Sequence, residues 1–168
     1  MNFLALAAIL STVGMYGLSR YVGHAKTAEA VSSVATLAGA AAEYYNGSDA
    51  AQPQGANPQS VHAMRHFPPG SRIPVPEDRT NVRGRRYQSN LADWGTSPWR
   101  ELRFSIVQPQ YYQYSFESQG SGGGARATVT AEGDIDGDGI RSNYSVIVVP
   151  DETLIARPGL VERKDSEE

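Results

Sequence analysis

No cysteine occurs anywhere in this chain. That absence excludes a disulfide framework, a thiolate metal site and a thiol nucleophile, so the fold must hold without covalent staples. A cationic excess is lacking too: 15 Lys and Arg stand against 18 Asp and Glu, for a formal net charge of −3. Nothing in that balance attracts nucleic acid in general, and the densest basic run, Arg83, Arg85 and Arg86 around Gly84, reads as a solvated loop. No G-x-S-x-G nucleophile turn is present, the glycine-rich stretch Gly120–Gly124 has no phosphate-loop lysine, and no carboxylate pair is spaced for acid and base roles. His62 and His66 would share a helical face, but Ala63 stands where a zinc protease carries its Glu, and only two ligands are visible. These absences argue against an enzyme.

Charge is missing altogether from Met1 to Ser19, a stretch filled with Leu, Ala, Ile, Val and Gly, and helix-forming sequence continues from there to about Asn46. At about 1.5 Å per residue such a stretch spans roughly 28 Å, close to the hydrocarbon thickness of a bilayer. No Lys or Arg precedes Phe3, and no cleavage-site pattern leading into loop sequence ends the run, so a retained apolar helix is expected rather than a secretory leader. Arg20 and Lys26 on its C-terminal side would leave the rest of a simple anchored chain in the cytoplasm. Beyond it, Val31, Val34, Ala35, Ala38, Ala41, Ala42 and Tyr45 recur at steps of three and four, a narrow stripe of mostly small side chains. Such a stripe suits both a domain core and contacts between subunits.

Asn46-Gly47 is a helix stop. The following stretch is rich in Pro, Gly, Ser, Gln and Asn and reads as a long surface connection, with one short helix at most around residues 58–66. Strand character begins at Trp99 with the alternation of Leu102, Phe104 and Ile106. It continues in Tyr111–Phe116, in Ala125–Glu132 with Ala127, Val129 and Ala131 on one face, and in Asn143–Val149. Four strands joined by turns predict an antiparallel meander, and the preceding amphipathic helix predicts an α+β fold: a long N-terminal α-helix packed on a four-stranded antiparallel β-sheet. The expected organisation is a transmembrane or filament-core helix at 1–24, its amphipathic extension at 25–46, a Pro/Gly-rich connection at 47–98, the sheet at 99–150 and a charged, mobile tail at 151–168.

Between the third and fourth expected strands lie Asp134, Asp136 and Asp138, at alternate positions and followed by Gly139. Carboxylates so spaced fold around one hard cation, with the carbonyl of Ile140 as a backbone ligand and Ser142 at a water-linked position, the first half of an EF-hand-like Ca2+ loop. Ser145 stands where such a loop has its bidentate Glu, and a plain Asp-Gly turn needs no metal, so both readings are open. Tyr112, Tyr114 and Phe116 share one face, as core filling or as a ligand platform.

The order of these parts resembles the type IV pilins and pseudopilins. The resemblance is carried by His24-Ala25-Lys26-Thr27-Ala28-Glu29-Ala30, by Trp99-Arg100-Glu101-Leu102-Arg103-Phe104-Ser105, by Gln108-Pro109-Gln110-Tyr111-Tyr112-Gln113-Tyr114 and by Gly133-Asp134-Ile135-Asp136-Gly137-Asp138-Gly139. It implies a structural, non-enzymatic subunit of a type IV pilus or pseudopilus, with a fimbrial-protein-like head. Such a subunit assembles with copies of itself or other pilins through its apolar helix. Phe3, Leu4, Leu6, Ile9, Leu10 and Val13 are the candidate assembly residues, with no nucleic-acid partner. It also implies a single-pass inner-membrane location before assembly and a cell-surface or extracellular filament after it. Where the family carries a Glu at the fifth mature residue, Ala5 stands here, counting from Met1. The alternative is a monomeric, membrane-anchored extracytoplasmic binding module whose Pro-rich loop and aromatic face hold a peptide or glycan.

Overall fold

The computed structural model describes residues 26–47 and 64–165. Residues 26–47 form one helix, α1: of its expected stripe Val34, Ala38, Ala41 and Tyr45 are fully buried and Ala42 is buried, Val31 is half-buried and Ala35 is exposed, while Ala30 and Leu37 complete the buried face. Small Ala side chains let the helix approach closely, while Leu37 and Tyr45 reach deeper. Full burial of a side chain such as Leu37 contributes about 1.5–3 kcal/mol.

The surface α1 covers is a sheet. Its strands are β3 (Gln113–Gln119), β4 (Arg126–Gly133), β5 (Ser142–Pro150), β6 (Ala156–Pro158) and β7 (Glu162–Lys164), after a separate two-stranded ribbon of β1 (Tyr87–Gln88) and β2 (Pro109–Gln110). All pairings are antiparallel: Phe116 lies opposite Val129, Val129 opposite Val146, and the outer edge of β5 pairs with β6 near Val149 and with β7 near Tyr144. Every second residue of β3 to β5 faces inward. Tyr114, Phe116, Ala127, Val129, Ala131, Tyr144, Val146 and Val148 join the buried face of α1 in one core. The molecule is therefore α+β, with a helix on an antiparallel sheet, as expected.

Its strand inventory differs from the expected four. Residues 97–103 form turns, closed locally by Leu102 N–H donating to Pro98 O (2.9 Å) and Phe104 N–H to Trp99 O (3.0 Å). Leu102 is buried, and Phe104 and Ile106 are half-buried between exposed neighbours, so the alternation is real. No ladder accompanies it, because this stretch packs on Trp94 and Trp99, whose rings meet edge-on at 5.1 Å. The fourth and fifth strands of the sheet both come from the segment expected as a tail: β6 and β7 divide the long free edge of β5 between them.

Among the described residues no helix is long and apolar enough to cross a membrane. The expected single-pass inner-membrane and cell-surface location is corrected on that finding, since α1 spends its one apolar face on the sheet and presents Ala28, Ser32, Thr36 and Glu43 outward. The apolar stretch with Phe3, Leu4, Leu6, Ile9, Leu10 and Val13 lies outside the described residues, as does His62.

Candidate functional site

The connection from β4 to β5 places the acidic residues. Gly133 ends β4 where a Cβ would stand 2.8 Å from both Tyr111 O and the Tyr112 ring, so only glycine lets the chain turn there. Asp134 follows, and its side chain organises the loop: Gly137 N–H donates to Oδ1 (2.7 Å) and Gly139 N–H to Oδ2 (3.0 Å). Gly137 and Gly139 have φ of +85° and +100°, the left-handed region that glycine adopts without strain. Asp136 accepts from Asp138 N–H (3.1 Å), and Asp138 accepts from Ile140 N–H (2.6 Å). The sequence thus brings together what it was expected to: one oxygen from each of Asp134, Asp136 and Asp138 lies within 4.8 Å of the others.

A cation already stands at this loop. Arg83 Nε lies 3.4 Å from Asp134 Oδ2, and Arg83 donates to Gly137 O from Nε (3.3 Å) and Nη2 (3.2 Å). Its backbone holds it there, since Arg83 and Asp134 form a parallel bridge and Gly84 N–H donates to Asp134 O (2.7 Å). Gly84 fits at φ +61° with a Cβ position 3.3 Å from Gly137 Cα, so the two segments touch backbone to backbone.

The donor set suits a hard cation such as Ca2+ in kind, three carboxylates and the Ile140 carbonyl. Two features of the surroundings work against one. The guanidinium occupies an Asp134 oxygen, and Ser142, expected at a water-linked position, is fully buried with its hydroxyl turned to Gly133 O (3.3 Å). Beside the loop is a cavity of about 180 Å3 lined by Arg79, Arg83, Glu132, Asp134 and Arg141 among others, in which Arg141 pairs with Glu132 at 2.7 Å.

Arg83 was not visible as part of the site. It lies far from Asp134 in the chain, and its neighbours go elsewhere: Arg85 to Thr80 O and Asn81, and Arg86 over the Tyr111 ring at 5.9 Å. The aromatic face of Tyr112, Tyr114 and Phe116 is wholly buried, which makes it core and not a ligand platform. His66 stands beside the Tyr44 ring, centroids 6.3 Å apart.

At the level of class, the chain is an α+β protein with a helix-covered antiparallel sheet and an arginine-clamped acidic loop. Comparison with known protein families, with characterised proteins and with solved structures finds no match.

Proposed function

We propose that this chain is a structural subunit of a filament of the type IV pilus or pseudopilus kind, assembling with copies of itself or with other pilin-like chains. The observation that supports this most is the use made of α1. An amphipathic helix lies across the sheet, and the sequence ahead of it includes a stretch, Met1 to Ser19, that has no charged side chain. A segment apolar on all sides is stable when buried among copies of itself, and α1 ties each such segment to its own sheet. Phe3, Leu4, Leu6, Ile9, Leu10 and Val13 make the assembly contacts in this reading. No reaction is assigned to the subunit, whose surface loops are the part that varies with its task.

Sedimentation and negative-stain microscopy of the full chain after detergent removal test the reading. Wild type is expected to pellet as filaments. A chain carrying Leu6→Glu and Leu10→Glu is expected to stay in the supernatant with the thermal midpoint of its sheet domain unchanged. A wild-type chain that remains monomeric overturns the proposal.

A further inference from the structure

One asparagine in the chain is followed by glycine, Asn46-Gly47 at the end of α1; the others precede Phe, Pro, Val, Leu or Tyr. The pairing matters chemically, because glycine has no Cβ to keep its backbone nitrogen away from the preceding side-chain amide. Gly47 is exposed, and no neighbouring segment lies within 4 Å of the place a Cβ would take, so packing does not shield that nitrogen. What restrains the pair is β6. Asn46 Nδ2 donates to Ala156 O (3.1 Å) and Oδ1 accepts from Ala156 N–H (2.9 Å), which fixes the side-chain amide on the edge strand. β6 itself is three residues long, and the turn that delivers it is organised by Asp151, whose carboxylate accepts from the Thr153 (2.8 Å) and Ile155 (3.2 Å) amides. A short edge strand opens more readily than the strands in the middle of a sheet.

We infer that Asn46 is a site of spontaneous deamidation, gated by release of β6, and that its acidic product no longer holds that edge. Once the edge opens, the Gly47 nitrogen gives up its proton to water and bonds to Asn46 Cγ. The Cγ–Nδ2 bond breaks, and the amide nitrogen takes a proton from water and leaves as ammonia. A second water opens the resulting cyclic imide at either carbonyl, which leaves aspartate or isoaspartate at position 46. The net change is one water taken up and one ammonia released, with the chain one negative charge richer. The product carboxylate still accepts from Ala156 N–H, but it has no proton to donate to Ala156 O, so two acceptor oxygens face each other where Nδ2 and O stood 3.1 Å apart. The modification is therefore one-way, since an edge that has reacted cannot close as before. Nothing in this chemistry depends on filament assembly.

Mass-spectrometric peptide mapping of the full chain, warmed at neutral pH below its unfolding midpoint, provides the test. Wild type is expected to deamidate at Asn46 ahead of every other asparagine, and several-fold more slowly than the same chain unfolded in urea. Gly47→Ala, for which the helix has room, is expected to slow the reaction by about an order of magnitude. Asp151→Ala loosens the turn without touching Asn46 and is expected to speed it several-fold, with hydrogen exchange of the β4 amides unchanged. Should Asp151→Ala loosen β4 as well, the comparison passes to Arg157→Ala, which removes only the ion pair to Asp151 (3.2 Å) at the same edge. Asn46→Asp, standing for the product, is expected to accelerate exchange at the Ala156 amide. Another asparagine reacting first, or a Gly47→Ala chain as reactive as wild type, overturns the site. Equal rates in the native and unfolded chains, or an edge variant that reacts no faster than wild type, overturn the gate.

Discussion

Glu29 is the one carboxylate that α1 turns toward the sheet, where it accepts from Tyr111 N–H (3.1 and 3.3 Å) and from the Tyr114 hydroxyl (3.1 Å). Burial raises its pKa above the ordinary 4.5, and the two hydrogen bonds only partly offset this. The folded state therefore holds the proton more tightly than the unfolded chain. The resulting stability is fully present below the unfolded value and is lost as pH rises through the folded one. Relative to Glu29→Gln, wild type is expected to lose stability as pH rises from 4.5 toward 7. Urea midpoints of the two proteins across that range check it, and parallel curves would refute it. Asp134 is an acceptor the loop needs. Asp134→Ala leaves the Gly137 and Gly139 amides and the Arg83 guanidinium without their carboxylate, at a cost of about 2 kcal/mol in equilibrium unfolding. The spacing of the three Asp residues made this loop legible in the sequence. Neither Arg83 nor the Tyr partners of Glu29 could be read there, because those contacts join positions far apart in the chain and leave no local period.

Among the elements, α1 and strands β3 to β5 were legible because each carries its own pattern: a stripe at helical steps in one case, inward alternation in the other. Alternation alone misled at residues 102–106, where one side of the backbone is covered but no neighbouring strand supplies a ladder. β6 and β7 fail the other way. Three residues each and largely charged, they have no apolar rhythm of their own, and their pairing is dictated by the nine-residue length of β5. A side chain completes this edge. At the end of α1, Asn46 donates from Nδ2 to Ala156 O (3.1 Å) and accepts from Ala156 N–H (2.9 Å), so the amide behaves as a short extra strand beside β6. Asn46→Ala is expected to cost about 1–2 kcal/mol, with hydrogen exchange accelerated at the Ala156 amide and unchanged in β4. Equal acceleration in both strands would mean that Asn46 supports the whole sheet and not its edge.

At the scale of the molecule, helix and sheet have one core between them, and neither has an apolar layer to spare for another. This explains why the composition, with 40% hydrophobic residues and no cysteine, suffices to close one core. A single helix face closes against alternating strands, and the polar loops remain outside. The order of the parts has a consequence for biosynthesis. α1 leaves the ribosome well before the strands that cover it, whose last buried core residue is Ala156. At about 5–20 residues per second the wait is on the order of 5 to 20 s. Throughout that interval the nascent chain displays an uncovered Val and Leu stripe, the kind of surface that holding chaperones protect from neighbouring chains.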